Sequence, residues 1–296
     1  MIDAGFEKLQ ISMSGVIAAF RSGSPTTART KAVSAKSAFY FRIKMKIAFN
    51  TANLVARVTD YKFELKNWGA QATKTVEQTD EMAFRDICRE IKAAGYNAVE
   101  LWEAHIDPLV MNGERAQIWK QVLDENGLQI VAYAGGVRPE SIEVCRLLGI
   151  PQICGGLRIP LDEATKLCRE SGIAFNYENH PEKSVEEILA KIEGGNDVIG
   201  LAVDTGWLGT QGVDAPQAIR ALSSRVRHVH VKDVKAPGGH ETCLLGQGVV
   251  DIPGVFAALK EMGYDGWYSW EDEPEDRNPM DSARANREYI EKLLSQ

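Results

Sequence analysis

From Met45 onward, short apolar runs alternate with helix-like segments eight times, and few folds accommodate such a pattern. The runs are Ile47–Asn50, Ala98–Leu101, Gln129–Tyr133, Pro151–Cys154, Ile173–Tyr177, Ile199–Val203, Val226–Val231 and Trp267–Trp270. Most are nearly continuously apolar, as parallel strands covered by helices should be. The segments between them carry helix start and stop signals. Thr79 or Asp80 can cap Asp80–Ala94, and Gly95 ends it. Gly149 and Gly172 follow Pro139–Leu148 and Leu161–Glu170. Ser184 and Glu187 have capping-box spacing ahead of Ser184–Glu193. Further helices are expected around Glu114–Glu125, Ala215–Ser223, Ile252–Glu261 and Asp281–Leu294. Strict alternation over about 250 residues predicts an α/β fold, a single-domain (β/α)8 TIM barrel. A doubly wound open sheet would usually carry a glycine-rich loop after its first strand, and Asn50–Val55 has none.

Four of the predicted strands end in a carboxylate or an imidazole: Glu178, Asp204, His230 and Glu271. The first two intervals between these residues are both 26 residues, about one βα unit. In a barrel all four groups converge at one mouth. Taken singly each has an ordinary explanation: a salt bridge for Glu178, a turn cap for Asp204, a solvated acidic loop for Glu271. Taken together, three oxygen donors and one nitrogen donor describe a divalent-metal site suited to Mn2+, Mg2+ or Co2+. His228 shares a strand face with His230, and Val229 and Val231 share the other. A paired imidazole face inside a packed barrel implies a polar purpose.

The longest predicted loops, Thr51–Thr79, Asp233–Asp251 and Asp272–Met280, follow strands 1, 7 and 8 on the C-terminal side, where binding loops of barrels lie. Residues 1–44 hold seven Lys/Arg and two acids, are rich in Ser, Thr and Ala, and show no periodicity. They are expected to be a disordered or mis-assigned N-terminal extension, with residues 45–296 forming the catalytic barrel. The net charge of −7 weighs against nucleic acid as a partner. No apolar run approaches the roughly 20 residues of a membrane span. Five scattered cysteines without a CxxC motif fit a reducing, cytoplasmic setting.

The stretches YENHPE, AVDTG, HVHVKD and SWE resemble the sugar phosphate isomerase/epimerase superfamily, which has the xylose isomerase-like TIM barrel. The resemblance runs from about Met45 to the C-terminus. In its ketose 3-epimerase branch, the residues matching Glu178, Asp204, His230 and Glu271 bind one divalent metal, with Mn2+ the first choice here. The two glutamates also act as the acid/base pair. The resemblance further implies a small sugar substrate, enediolate chemistry and pairing into homo-oligomers. It makes Glu103, His105, His180, Lys232 and Asp233 candidates for substrate contact. Trp102, Trp207 and Trp270 are candidates for stacking on a sugar face, although barrel tryptophans more often serve packing.

In one place the chain departs from the family pattern. Where the family frequently has His after Asp-Thr-Gly, this chain has Trp207. That weighs against the inosose dehydratase-like and phosphate-sugar branches, and also against the zinc nuclease branch. The expected activity is isomerisation or epimerisation of a keto-sugar. The alternatives are a lyase, such as an inosose-type dehydratase or a 3-keto-glycoside-eliminating enzyme, and a non-catalytic sugar-binding barrel subunit.

Overall fold

The computed structural model describes residues 45–195 and 197–296. The expectation for residues 1–44 lies outside the described residues. The strands are β1 Ile47–Asn50, β2 Ala98–Trp102, β3 Gln129–Ala134, β4 Gln152–Gly155, β5 Ala174–Glu178, β6 Ile199–Asp204, β7 Val226–Val231 and β8 Tyr268–Trp270. They close in sequence order into one parallel barrel. The helices are α1 Trp68–Gln78, α2 Glu81–Ala93, α3 Gly113–Glu125, α4 Pro139–Leu148, α5 Leu161–Ser171, α6 Val185–Ala190, α7 Thr205–Thr210, α8 Ala215–Leu222, α9 Ile252–Glu261 and α10 Met280–Leu294. The predicted fold is the observed one.

The expected start signals are used. Asp80 accepts the Ala83 N–H at 2.8 Å and caps α2. Ser184 accepts the Glu187 N–H and caps α6, but the reciprocal half of the capping box is displaced. The Glu187 carboxylate takes the N–H of Lys183 instead, at 2.8 Å. Helix α6 also ends at Ala190, short of the expected Glu193. The carbonyls beyond it turn to the Arg225 guanidinium, which bonds Ile192 O and Ile199 O at 3.1 Å.

The expected long loop Thr51–Thr79 needs a larger correction. It contains α1 and three short 3-10 turns. Trp68, Ala72 and Val76 of α1 recur at helical spacing and pack on a cluster that includes Phe63 and Trp102. The segment is thus a folded cap over the β1–β2 side of the mouth. Among the described residues, no helix is long and apolar enough to cross a membrane.

Small side chains, Ala48, Ala98, Ala132, Cys154 and Ala202, form one buried cluster of the barrel with Val131, and Trp267 packs against it. Polar residues are buried beside them: Glu100 pairs with Ala132, Asn176 with Cys154 and His228 with Ala202, and Asn50 and Glu100 follow Ala48 and Ala98 two residues on, on the same face. Strand register then sets the ligand row. Asp204 pairs with His230, His230 with Ser269, and Asn50 with Glu100.

Candidate metal centre

Glu178, Asp204, His230 and Glu271 come together as the spacing predicted. Each offers one ligand atom, and these atoms lie within 4.8 Å of one another. His230 Nδ1 is 2.6 Å from Glu178 Oε1 and 3.0 Å from Glu271 Oε2. Neighbouring residues fix each group. Asn50 donates from Nδ2 to Glu271 Oε2 at 2.6 Å. Asn179 clasps the Asp204 backbone in both directions at 3.0 Å. Asp204 Oδ1 accepts the Trp207 N–H at 3.0 Å and so caps α7, while Oδ2 is buried with no hydrogen-bond partner. One oxygen of the carboxylate thus caps the turn, and the other is left without a hydrogen-bond partner.

Lys232 is fully buried behind this row. Its Nζ lies 3.0 Å from Glu271 Oε1, 2.6 Å from Glu273 Oε2 and 3.5 Å from Asp204 Oδ2. The side-chain stem needs the glycine at position 206, since a Cβ there would meet Lys232 Cγ at 2.5 Å. Glu273 reaches the ammonium from a left-handed backbone with φ of 51°. Non-glycine residues rarely adopt that conformation, and such strain concentrates at functional sites.

Burial and charge divide the protons unevenly. Burial pushes Glu178 up, but His230, His180 and Lys232 outweigh it and hold the carboxyl at about 2. Glu271 rises to about 7, because burial and the charges of Glu178 and Asp204 exceed the pull of His230 and Lys232. Glu273 also rises to about 7 through burial and the charge of Glu271. Burial disfavours charge on His230, yet Glu100, Glu271 and Glu178 raise it well above the ordinary imidazole value.

A cavity of about 480 Å3 opens above these groups. Glu178, His230, Glu271 and Glu273 form its floor, and Trp68, Trp102 and Trp207 are in its walls. Trp207 lies between two imidazoles, His180 at 5.3 Å and His240 at 4.7 Å. Glu103 lines the cavity and holds Gly136 N at 3.3 Å, with Arg158 Nη2 3.6 Å away.

Three candidates for substrate contact lie off the cavity wall. His105 is buried, with Nδ1 3.0 Å from Thr51 Oγ1 and its ring edge-on to Trp102. Lys232 is enclosed by its carboxylate partners. Asp233 is a loop organiser whose carboxylate accepts the N–H groups of Gly246, Gly248 and Val250 at 2.9–3.1 Å. Trp270 is also internal, packed on Phe49 and Tyr96. Sequence reasoning missed Glu100, Asn50, Glu273, His240 and Arg158. Only Glu100 left a signal, as a lone acid inside an apolar strand.

Residues 160–293 match the family model of the xylose isomerase-like TIM barrel. The match covers less than half of the chain and makes this segment similar to that family. The chain's curated relatives include the inosose dehydratase of Geobacillus thermodenitrificans, 30% identical over 152 residues, which are 44% of this chain and 51% of that protein. The inosose dehydratase of Mesomycoplasma hyopneumoniae is 28% identical over 160 residues, 46% of this chain and 53% of that protein. The chain spans about half the length of the curated relatives it matches. Trp207 had pointed away from inosose dehydratases, yet they are among the similar proteins. Among solved structures, an L-ribulose 3-epimerase superposes with a TM-score of 0.63 at 18% identity, covering 85% of this chain and 95% of that one. At this identity the likeness shows the barrel fold alone.

Proposed function

We propose that this xylose isomerase-like barrel is a divalent-metal-dependent isomerase or epimerase of a keto-sugar or related polyol. One observation carries the reading: two buried carboxylates, Glu178 and Glu271, flank one imidazole nitrogen beneath a cavity rich in tryptophan. The donor set fits a hard divalent cation, and the unpartnered Asp204 Oδ2 is an oxygen that such an ion would satisfy. Glu178, Asp204, His230 and Glu271 would hold it, Mn2+ being our first choice and Mg2+ or Co2+ compatible. A solved xylose isomerase-like barrel from Mycobacterium smegmatis, similar in fold with a TM-score of 0.62 at 17% identity over 85% of this chain and 97% of that one, is a magnesium complex. A bound ion would polarise the substrate carbonyl and favour loss of the proton on the neighbouring carbon.

The chain's own residues would move that proton. Glu178, ionised, has Oε1 committed to His230 and the freer Oε2 facing the cavity side with His180, 3.6 Å away. It takes the proton from the substrate carbon. Glu271 returns one, and Lys232 at its Oε1 stabilises its ionised form. Fixing both carboxylates to one imidazole, and Glu271 also to Asn50, keeps them in reacting position without reorganisation. The tryptophans would pack the apolar face of the sugar and exclude water.

A second reading, dehydration, is favoured by the inosose dehydratases among the curated relatives. It shares the first proton abstraction and differs in expelling a hydroxyl. His180, raised above the ordinary imidazole value because Glu178 and Asp204 outweigh its burial, stands where it could protonate that group.

One experiment tests both readings. The protein is incubated with Mn2+ and a panel of ketoses and inososes in deuterated water, and products are read by NMR and mass. Deuterium at the carbon beside the carbonyl in an epimer or isomer supports the first reading, and loss of water supports the second. No exchange with any member of the panel leaves only the sugar-binding alternative.

A further inference from the structure

Beneath the ligand row, a line of polar side chains crosses the barrel interior. Asn176 Nδ2 donates to Gln152 Oε1 at 2.8 Å. Gln152 Nε2 donates to the Val131 carbonyl at 3.2 Å and lies 3.3 Å from His228 Nδ1. His228 Nε2 is 2.8 Å from Glu100 Oε2. His230 Nε2 is 3.1 and 3.2 Å from the two Glu100 oxygens. Glu100, His228 and His230 are essentially without solvent exposure.

The direction of each hydrogen bond follows from its anchors. A backbone carbonyl can only accept, so Val131 fixes the Gln152 amide with its NH2 toward His228. His228 Nδ1 is then the acceptor, and its proton sits on Nε2, donated to Glu100. A carboxylate can only accept, so His230 also presents a proton at Nε2. By the same rule Nδ1 carries a proton toward Glu178 Oε1, 2.6 Å away, and a metal held with Glu178, Asp204 and Glu271 would displace that proton while the one on Nε2 stays with Glu100.

We infer that Glu100 is a positioning residue: it holds His230 with its proton on Nε2 and its ring aimed so that Nδ1 is the metal ligand. The inference rests on the metal-site reading above and deepens it. Carboxylates behind ligating histidines fix tautomer and ring orientation, and their loss typically lowers metal affinity about 10–100-fold. Glu100, His228 and His230 also lie close enough together to hold an ion of their own. The hydrogen-bond directions argue against it. A metal on His228 Nε2 would force the proton onto Nδ1, which would then face the Gln152 NH2 donor to donor.

The test uses the full chain and Mn2+ as the probe, with binding and stoichiometry read by calorimetry and by the EPR signal of free Mn2+. The wild type is expected to bind one ion, and Glu100→Gln to bind one ion about 10–100-fold more weakly. Equal affinity in the two proteins overturns the positioning role. Two ions in the wild type and one in Glu100→Gln overturn it in favour of a second metal. No binding by the wild type removes the metal site itself, and the inference with it. If Glu100→Gln does not fold, NMR of 15N-histidine-labelled, Mg2+-loaded wild type decides. His230 should show a protonated Nε2 and an unprotonated Nδ1, and the reverse pattern sinks the inference.

Discussion

Lys232 Nζ stands 3.5 Å from Asp204 Oδ2, at ion-pair distance but without a hydrogen bond, in a setting where both side chains are fully buried. The oxygen is thus neutralised electrostatically while its lone pairs remain free. Asp204→Asn should lower Mn2+ affinity by at least the roughly 10–100-fold that outer partners of a metal site contribute. Titration of both proteins with Mn2+ measures this, and unchanged affinity would remove Asp204 from the ligand set.

Lys232 itself is predicted to matter for folding more than for contact with substrate. Lys232→Met leaves Glu271, Glu273 and Asp204 without their shared cation. Breaking a buried pair in this way costs roughly 3–5 kcal/mol. Urea unfolding of the metal-free proteins should show the loss, and added Mg2+ should recover part of it. A variant as stable as the wild type would contradict the ion cluster described above.

Stability should also report the protons on Glu271 and Glu273. Both fold with values raised from the ordinary 4.5 to about 7. Stability from a raised group is complete below its unfolded value and fades as pH climbs through the folded one. Metal-free protein should therefore lose this contribution between about pH 4.5 and pH 7. A divalent ion at Glu271 takes the proton's place, and ligands must be deprotonated to bind. The rise in melting temperature on adding Mg2+ should be larger at pH 8 than at pH 6. A smaller rise at pH 8 would reverse the sign argued here.

Replacing either carboxylate of the acid/base pair should separate binding from proton transfer. Glu178→Gln and Glu271→Gln are each expected to slow deuterium exchange into substrate by about 10²–10⁴-fold. Each also removes a ligand charge, so the comparison is made at saturating Mn2+. Exchange at the wild-type rate in either variant would assign its role to another group.

The four groups were legible because each stands at or beside the end of a mostly apolar run, where a Glu, Asp or His stands out. The barrel itself was legible for the same reason. Glu100 was not, since its meaning depends on partners 128 and 130 residues away and on a register shift between Val99 and Glu100. His105, Lys232 and Asp233 lie off the cavity wall because a place after strand 2, or beside His230 in sequence, does not fix which way a side chain turns. Asp233 follows Lys232 directly, yet its carboxylate is consumed by amides of the loop Gly246–Val250. Helix α1 was hidden because Thr51–Thr79 mixes polar and apolar residues, and its helical period shows only against the Trp102 cluster it covers.

The bond between His230 and Glu100 joins β7 to β2 across the lumen, between strands that are not neighbours in the sheet. A fragment carrying only β5–β8 would contain every ligand type and still lack this contact. Closing so long a loop is entropically unfavourable until the intervening strands are in place. Tight cation uptake should therefore appear only after the two halves have met, which makes it a timer for the final step of assembly.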